Sequence, residues 1–88
     1  MRDMTVTVRY WAAIRAAAGV ADEQVEAATL ADLLAEIRSR HADSDRFSDV
    51  LDICSILVSE VPVGAREPAE VTLADGDVVE LLPPFAGG

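Results

Sequence analysis

The chain of 88 residues contains no lysine, one cysteine and one histidine, and each scarcity excludes a class of chemistry. Without lysine it has no side chain for a Schiff base or a Walker-type phosphate loop, and no side-chain amine to accept an isopeptide bond. Cys54 cannot form an internal disulfide, and with His41 it cannot complete a zinc site or hold an iron–sulfur cluster. Because Cys54 lies in the apolar stretch 53–57, we predict that it is a small buried hydrophobe and not a nucleophile.

The chain also lacks a long hydrophobic run. Just over half of its residues are apolar, yet no stretch approaches the length of a membrane span, and the first residues lack the basic-then-apolar layout of a secretion signal. We therefore expect a cytoplasmic protein that does not enter a membrane. A length of 88 residues suits one domain with a modest core.

Positive charge is scarce, since 16 acidic residues face seven arginines and give a formal charge of −9. Such a surface repels the phosphates of nucleic acid, so we expect no nucleic-acid ligand. Two interpretations of the acidic surface fit equally well: complementarity to a basic partner protein, or solubility alone.

The first third of the chain predicts two strands. Residues 4–10 alternate polar and apolar side chains, with β-branched residues among them, which is typical of a half-buried strand. The inner face of this strand is predicted to carry Val6, Val8 and Tyr10. The alanine-rich residues 11–19 predict a helical turn or loop that ends at Gly19. Residues 21–27 predict a second strand that returns beside the first.

The strongest helical pattern begins at Thr29. Its hydroxyl precedes Asp32 by three residues, an arrangement that caps a helix and places an acid where the helix dipole favours it. Apolar residues then recur at helical spacing along one face: Leu30, Leu33, Leu34 and Ile37. We predict a helix to about His41, with Arg38 and Arg40 suited to its C-terminal end and the histidine as a helix-end residue, not a ligand or base.

The second half alternates short strands with polar segments. In chain order it predicts a loop with a helical turn around 47–51, a strand over 56–59, and a short extended segment at the sheet edge over 61–63. A polar loop over 64–70 and an extended segment over 71–73 follow. The half ends with a turn over 74–77 and a last strand over 78–82. The first and last strands are the most apolar, so we expect them to be central, adjacent and parallel. The predicted fold class is α+β. We expect residues 1–82 to form one domain, in which one main amphipathic helix packs on a mixed sheet.

Residues 83–88 are predicted to form a flexible tail that carries the chemistry. Pro83 and Pro84 hold φ at about −65° and lack an N–H donor, so they end sheet pairing and direct the tail away from the domain. Gly87 and Gly88 have no Cβ and can enter a channel too narrow for side chains. The terminal carboxylate is ionised at neutral pH and can attack an activated phosphate.

Three motifs together resemble a known family: Tyr10-Trp11-Ala12-Ala13-Ile14-Arg15 followed by Ala18-Gly19, Asp75-Gly76-Asp77-Val78-Val79, and Pro83-Pro84-Phe85-Ala86-Gly87-Gly88. They resemble the small subunit of molybdopterin synthase, a ubiquitin-like sulfur carrier of the β-grasp fold, over essentially the whole chain. The resemblance implies that the Gly88 carboxylate is adenylated by an ATP-dependent activating enzyme and converted to a thiocarboxylate with sulfur from a donor protein. It further implies that the tail enters a large subunit, where the sulfur passes to a pterin precursor of molybdopterin.

The resemblance also implies roles for individual residues. The Gly88 carboxyl is the reacting group, and the partner-binding residues are Pro84, Phe85, Ala86 and Gly87. We favour a partner pocket for Phe85 over packing in this protein's own core. On the domain, we expect an exposed apolar patch for the partner, formed by Leu57, Val63, Val79 and Leu81.

The chain itself offers little catalytic equipment. It contains no phosphate-binding loop and no nucleophile, base and orienting group at a suggestive spacing, so we expect the catalytic residues on the large subunit and predict neither a metal nor a cofactor site. Two alternatives stay open. One is a sulfur carrier for thiazole, cysteine or thionucleoside synthesis, and the other is a ubiquitin-like modifier that forms isopeptide bonds with other proteins.

Overall fold

A computed structural model of the chain describes residues 4–84, which form one mixed sheet with helices packed on its buried face. In chain order the elements are β1 (Thr5–Tyr10), α1 (Ala12–Ala18), β2 (Asp22–Glu26), α2 (Leu30–Arg40), α3 (Asp45–Asp52), β3 (Ser55–Val58), β4 (Val61–Pro62), a 3₁₀ turn (Pro68–Glu70) and β5 (Val78–Leu82). The predicted tail from Phe85 onwards lies outside the described residues.

The sheet has the strand order β2-β1-β5-β3-β4. Strands β1 and β5 are parallel neighbours in its middle, with Val8 opposite Val79 and Tyr10 opposite Leu81. All other pairs are antiparallel. The prediction that the first and last strands are central and parallel is therefore confirmed, and β5 has the predicted bounds.

Side-chain caps set the starts of the two longer helices. The Thr29 hydroxyl accepts a hydrogen bond from the Asp32 amide at 3.2 Å, as predicted for the start of α2. The Ser44 hydroxyl accepts one from the Phe47 amide at 3.2 Å. Helix α3 begins after this cap and covers Asp45–Asp52, so it is longer than the single turn predicted around 47–51. The short α1 ends at Gly19, whose φ of 80° is readily adopted only by glycine.

The core lies between the sheet and the helices. It contains the predicted inner face of β1 together with apolar residues of every helix: Val6, Val8, Tyr10, Ile14, Val25, Ala27, Leu30, Leu33, Ile37, Phe47, Leu51, Val63, Val71, Leu73, Val79 and Leu81. Leu34 is only half-buried, because the buried stripe of α2 is centred on the other three residues of the predicted set.

The predicted apolar patch is wrong for three of its four members. Val79 and Leu81 are fully buried, and Val63 is 6% exposed. Successive side chains of a strand point to opposite faces, and Glu80 occupies the outer face of β5, so its two neighbours must point into the core. Of the four, Leu57 alone lies half-buried on the outer face.

Three smaller departures occur in the second half of the chain. Strand β3 begins at Ser55 and ends one residue earlier than predicted, because Ser59 and Glu60, with φ of 46° and 73°, form the turn to β4. The predicted polar loop over 64–70 contains the 3₁₀ turn. The predicted extended segment over 71–73 is reduced to a single bridge between Thr72 and Thr29.

Candidate functional site

The tail begins at the end of a strand that is held on both sides. At the last residues of β5, Leu81 lies opposite Tyr10 on one side, and Leu82 lies opposite Ser55 on the other. Pro83 is half-buried and Pro84 is exposed. The structure thus anchors the start of the tail between two neighbouring strands. Of the predicted site residues it describes Pro84 alone, and Phe85, Ala86, Gly87 and Gly88 lie outside the described residues.

A partly apolar outer face of the sheet adjoins the start of the tail. It carries the half-buried side chains of Val78, Leu82 and Leu57 around Glu80, whose carboxylate lies 3.7 Å from the guanidinium of Arg9. The ion pair neutralises the one acid among these side chains, and its exposed geometry contributes little stability. Trp11 directly follows Tyr10 and is 41% exposed. These side chains form a partly apolar surface that leads to the tail. They take the place of the predicted patch, because Val63, Val79 and Leu81 are buried.

The other end of β5 is fixed by the predicted Asp-Gly turn. Asp75 Oδ1 accepts a hydrogen bond from the Thr5 amide at 2.9 Å, and Asp77 Oδ2 accepts one from the Ala74 amide at 2.8 Å. The Ser59 hydroxyl donates to Asp77 Oδ1 at 2.8 Å. Gly76 has a φ of 90° and so needs no strain to make the turn. Because both ends of β5 are fixed, the register that positions the tail is fixed as well.

Cys54 lies beside the start of the tail, immediately before Ser55. It is half-buried, and its Sγ donates to the Val50 carbonyl at 3.3 Å. Burial raises the pKa of the thiol to about 11. The side chain packs against the core, as predicted for a small hydrophobe, but it is less completely buried than expected.

A cluster centred on Glu23 was not predicted from the sequence. Tyr10 Oη donates to Glu23 Oε2 at 2.7 Å, His41 Nε2 contacts the same oxygen, and Arg40 lies 3.3 Å from the other carboxylate oxygen. The His41 ring stacks on Phe47 with centroids 4.4 Å apart. The three partners come from β1 and the end of α2, so no local spacing signals the cluster. It confirms His41 as a helix-end residue.

The charge state of Glu23 depends on this cluster. Burial raises the pKa of the carboxyl, but the hydrogen bonds from His41, Tyr10 and Arg40 outweigh burial and hold it below its usual value. Burial and the neighbouring carboxylate raise the pKa of Tyr10, which stays neutral. The arrangement joins β1, β2 and α2 and is structural.

Replacing Glu23 with Gln tests this role through the pH dependence of stability. A carboxyl with a lowered folded pKa stabilises the fold above its unfolded pKa of about 4.3, and this stability is lost as the pH falls through the folded value. We expect Glu23→Gln to cost about 1 kcal/mol at pH 7, with a smaller cost below pH of about 4, in denaturant melts. A cost that is the same at both pH values would contradict the ionic contribution.

Among residues 4–84 no group of three or more His, Cys, Asp or Glu side chains is arranged to hold a metal ion. Nor is any helix in this part of the chain long and apolar enough to cross a membrane.

Comparisons with known proteins place the whole architecture in one family. The ThiS family matches residues 8–88. A proposed subunit 1 of molybdopterin converting factor from Pyrococcus furiosus is 31% identical, with a TM-score of 0.75, over 93% of this chain and 99% of that chain. A chain in the protein–protein complex of subunits 1 and 2 of the molybdopterin-converting factor from Helicobacter pylori is 27% identical, with a TM-score of 0.67, over 97% of this chain and 100% of that chain.

The match to the small archaeal modifier protein 1 from Methanosarcina acetivorans covers 100% of this chain and 100% of that chain with a TM-score of 0.80. At 21% identity, this match shows the fold alone. No curated protein sequence matches the chain. The match over residues 8–88 and the mixed five-stranded sheet lead to one conclusion. The chain belongs to the ThiS family of ubiquitin-like sulfur carriers and has their β-grasp fold.

Proposed function

We propose that this sulfur carrier is the small subunit of a molybdopterin synthase and donates sulfur from Gly88 to a pterin precursor. The observation that carries the proposal is the closing sequence Pro83-Pro84-Phe85-Ala86-Gly87-Gly88, which directly follows a central strand of the sheet. The similarity to the Pyrococcus furiosus protein supports the same pathway.

The chemistry begins at the terminal carboxylate. An oxygen of Gly88 attacks the α-phosphate of ATP in an activating enzyme, pyrophosphate leaves, and an acyl-adenylate results. Hydrosulfide delivered by a donor protein then attacks the acyl carbon, AMP leaves, the sulfur proton goes to solvent, and a thiocarboxylate remains. Because a free carboxylate is a poor acyl electrophile, activation must precede the arrival of sulfur. The chain supplies the reacting carboxyl, and its partners supply the catalytic residues.

The outer face of the sheet is the proposed contact surface for the large subunit and the activating enzyme. Its apolar side chains extend along β5 to Leu82 at the start of the tail, with Trp11 directly after Tyr10, so one partner can bind the face and the tail together. The charge of −9 complements a basic partner surface, which the anionic pterin also requires. The complex of subunits 1 and 2 of the molybdopterin-converting factor from Helicobacter pylori supports a second subunit as the partner.

A role as a protein modifier is the second candidate, supported by the Gly-Gly end. The two functions predict different products. A sulfur carrier ends as a thiocarboxylate, whereas a modifier accumulates as isopeptide conjugates on other proteins. Carriers for thiazole, cysteine or thionucleoside synthesis share the thiocarboxylate and differ in the protein that they bind.

The test is the intact mass of the protein after coexpression with its activating enzyme and a sulfur source. We expect the replacement of one terminal oxygen by sulfur, and capture of a molybdopterin synthase large subunit by the tagged carrier. An unchanged mass would reject the sulfur-carrier function. A thiocarboxylate together with a different bound partner would retain that function and reject the pathway.

Phe85 is proposed to anchor the tail in a pocket of the large subunit. If so, Phe85→Ala weakens the complex by about 1 to 4 kcal/mol and leaves the melting of the carrier alone nearly unchanged. Titration calorimetry of the pair and thermal melts of the single protein measure the two effects. Equal losses in both would place the side chain in this protein's own core.

A further inference from the structure

The activated terminus is an acyl electrophile, and the nearest nucleophiles are those of the carrier itself. Amines and thiolates attack acyl-adenylates, whereas a guanidinium stays protonated and does not. The chain carries seven arginines and no lysine. The question is whether the fold requires guanidinium groups at those positions.

Three arginines make contacts that lysine cannot reproduce. Arg66 donates from Nε to the Val63 carbonyl at 3.1 Å and from Nη2 to the Pro62 carbonyl at 3.2 Å. Arg38 likewise contacts two side chains of α3, and Arg40 contacts two carboxylates and a carbonyl. These forked contacts need the planar guanidinium, so the fold accounts for arginine here.

Other arginines have no such requirement. Arg9 makes one contact of 3.7 Å with a carboxylate, which an ammonium group can also make. Arg15 and Arg46 are exposed, and none of the side-chain hydrogen bonds or ion pairs found among residues 4–84 involves them. Lysine would serve the fold equally well at these three positions. Its absence there has no explanation in the contacts.

The single thiol lies where the tail can reach it. Cys54 precedes Ser55, which is opposite Leu82 at the end of β5. Six residues follow Leu82 and span at most about 20 Å, so the chain is long enough to return to the thiol. Yet the Cys54 side chain is half-buried, and its Sγ donates to the Val50 carbonyl. With a pKa of about 11, about one thiol in ten thousand is ionised at pH 7.

We infer that the side chains of this carrier are protected against acylation by its own activated terminus, because they include no amine and the one thiol, within reach of the tail, is masked. The inference rests on the proposed function, since it requires an acyl-adenylate at Gly88. In the reaction that is prevented, an amine nitrogen bonds to the Gly88 carbonyl carbon, the bond to AMP breaks, and the amine proton goes to solvent. The products would be AMP and a cyclic or dimeric carrier unable to accept sulfur.

The test restores an amine beside the tail. Ser55 is exposed, and Ser55→Lys and Ser55→Arg place side chains of similar length and equal charge there, of which only lysine is nucleophilic. Each full-length variant is incubated with the activating enzyme and ATP, without a sulfur donor, and its intact mass is measured. We expect Ser55→Lys to yield at least about ten-fold more product than Ser55→Arg, either lighter by one water or dimeric. In wild type, peptide mapping of any product should find no acylated side chain, and an amide at the α-amine is counted separately.

A second variant covers the case in which substitutions at Ser55 hinder activation. Arg46→Lys keeps the charge on an exposed position of α3, away from the sheet, and wild type is its matched control. We expect dimers linked through a side-chain amide from the lysine variant alone. Side-chain self-adducts of wild type, or lysine variants that give no more side-chain adduct than their arginine counterparts, would overturn the inference.

Hydroxylamine separates this inference from the proposed function. It traps an acyl-adenylate as a hydroxamate, which the mass spectrum reports independently of any self-adduct. A hydroxamate on wild type without side-chain self-adducts supports both statements. A hydroxamate together with side-chain self-adducts overturns the protection alone. Failure to form any hydroxamate overturns the proposed activation and, with it, the inference.

Discussion

Deleting Gly88 is expected to abolish thiocarboxylate formation while leaving the fold intact. In the proposed function the reacting group is the terminal carboxyl, and a shift of one residue would move it several ångströms from the α-phosphate of ATP. Misplacement by 1 Å alone can cost about a hundred-fold in rate, so we expect at least that loss. The measurement is adenylate formation with the activating enzyme, followed by detection of the thiocarboxylate by mass.

Two further variants separate the effect of tail length from the effect of side-chain size. One added residue after Gly88 displaces the carboxyl in the other direction, and Gly87→Val keeps the length but adds a branched side chain. All three changes lie beyond the end of β5, so the free energy of unfolding should change by no more than about 0.5 kcal/mol. Normal thiocarboxylate yield from the shortened protein would reject Gly88 as the site of activation.

The second large effect concerns the core. Leu33 is fully buried in the middle of α2, so Leu33→Ala is expected to leave a cavity and cost about 2 to 5 kcal/mol of unfolding free energy. A domain of this size has little more than that to lose. Denaturant melts followed by circular dichroism measure the loss.

Leu34→Ala is the matched control for the core substitution. The same atoms are removed from the next residue of the same helix, but Leu34 is half-buried at the flank of the stripe. We expect its cost to be less than half that of Leu33→Ala, because surrounding water and side chains can fill the space. Equal costs would mean that the helix presents a different face to the sheet.

Local patterns predicted most of the elements, because each strand and helix carries its own signal. The alternation of residues 4–10, the Thr29 cap and the Asp75-Gly76 turn all act over a few residues, and all are found in the structure. The longer α3 also had a local signal, since Ser44 stands before its first turn. A capping residue there indicates a helix start in the segment expected to be mainly loop.

It was harder to predict which face of a strand is buried and which side chains contact one another. Glu80 marks the outer face of β5, and that marker places Val79 and Leu81 in the core, contrary to the predicted patch. The Glu23 cluster joins residues from separate strands and a helix end, and only the folded chain brings them together. The chemistry proposed for the tail rests on residue types and their order alone, and it stays a prediction.

The pairing of β5 on both sides has a mechanical consequence. The hydrogen bonds from β5 to β1 and β3 run across the axis of the strand. If a partner draws the tail along that axis, as the proposed function requires, both ladders share the load in shear, and no bond at the end of the strand opens alone. We therefore expect the sheet to stay intact when a partner binds and releases the tail.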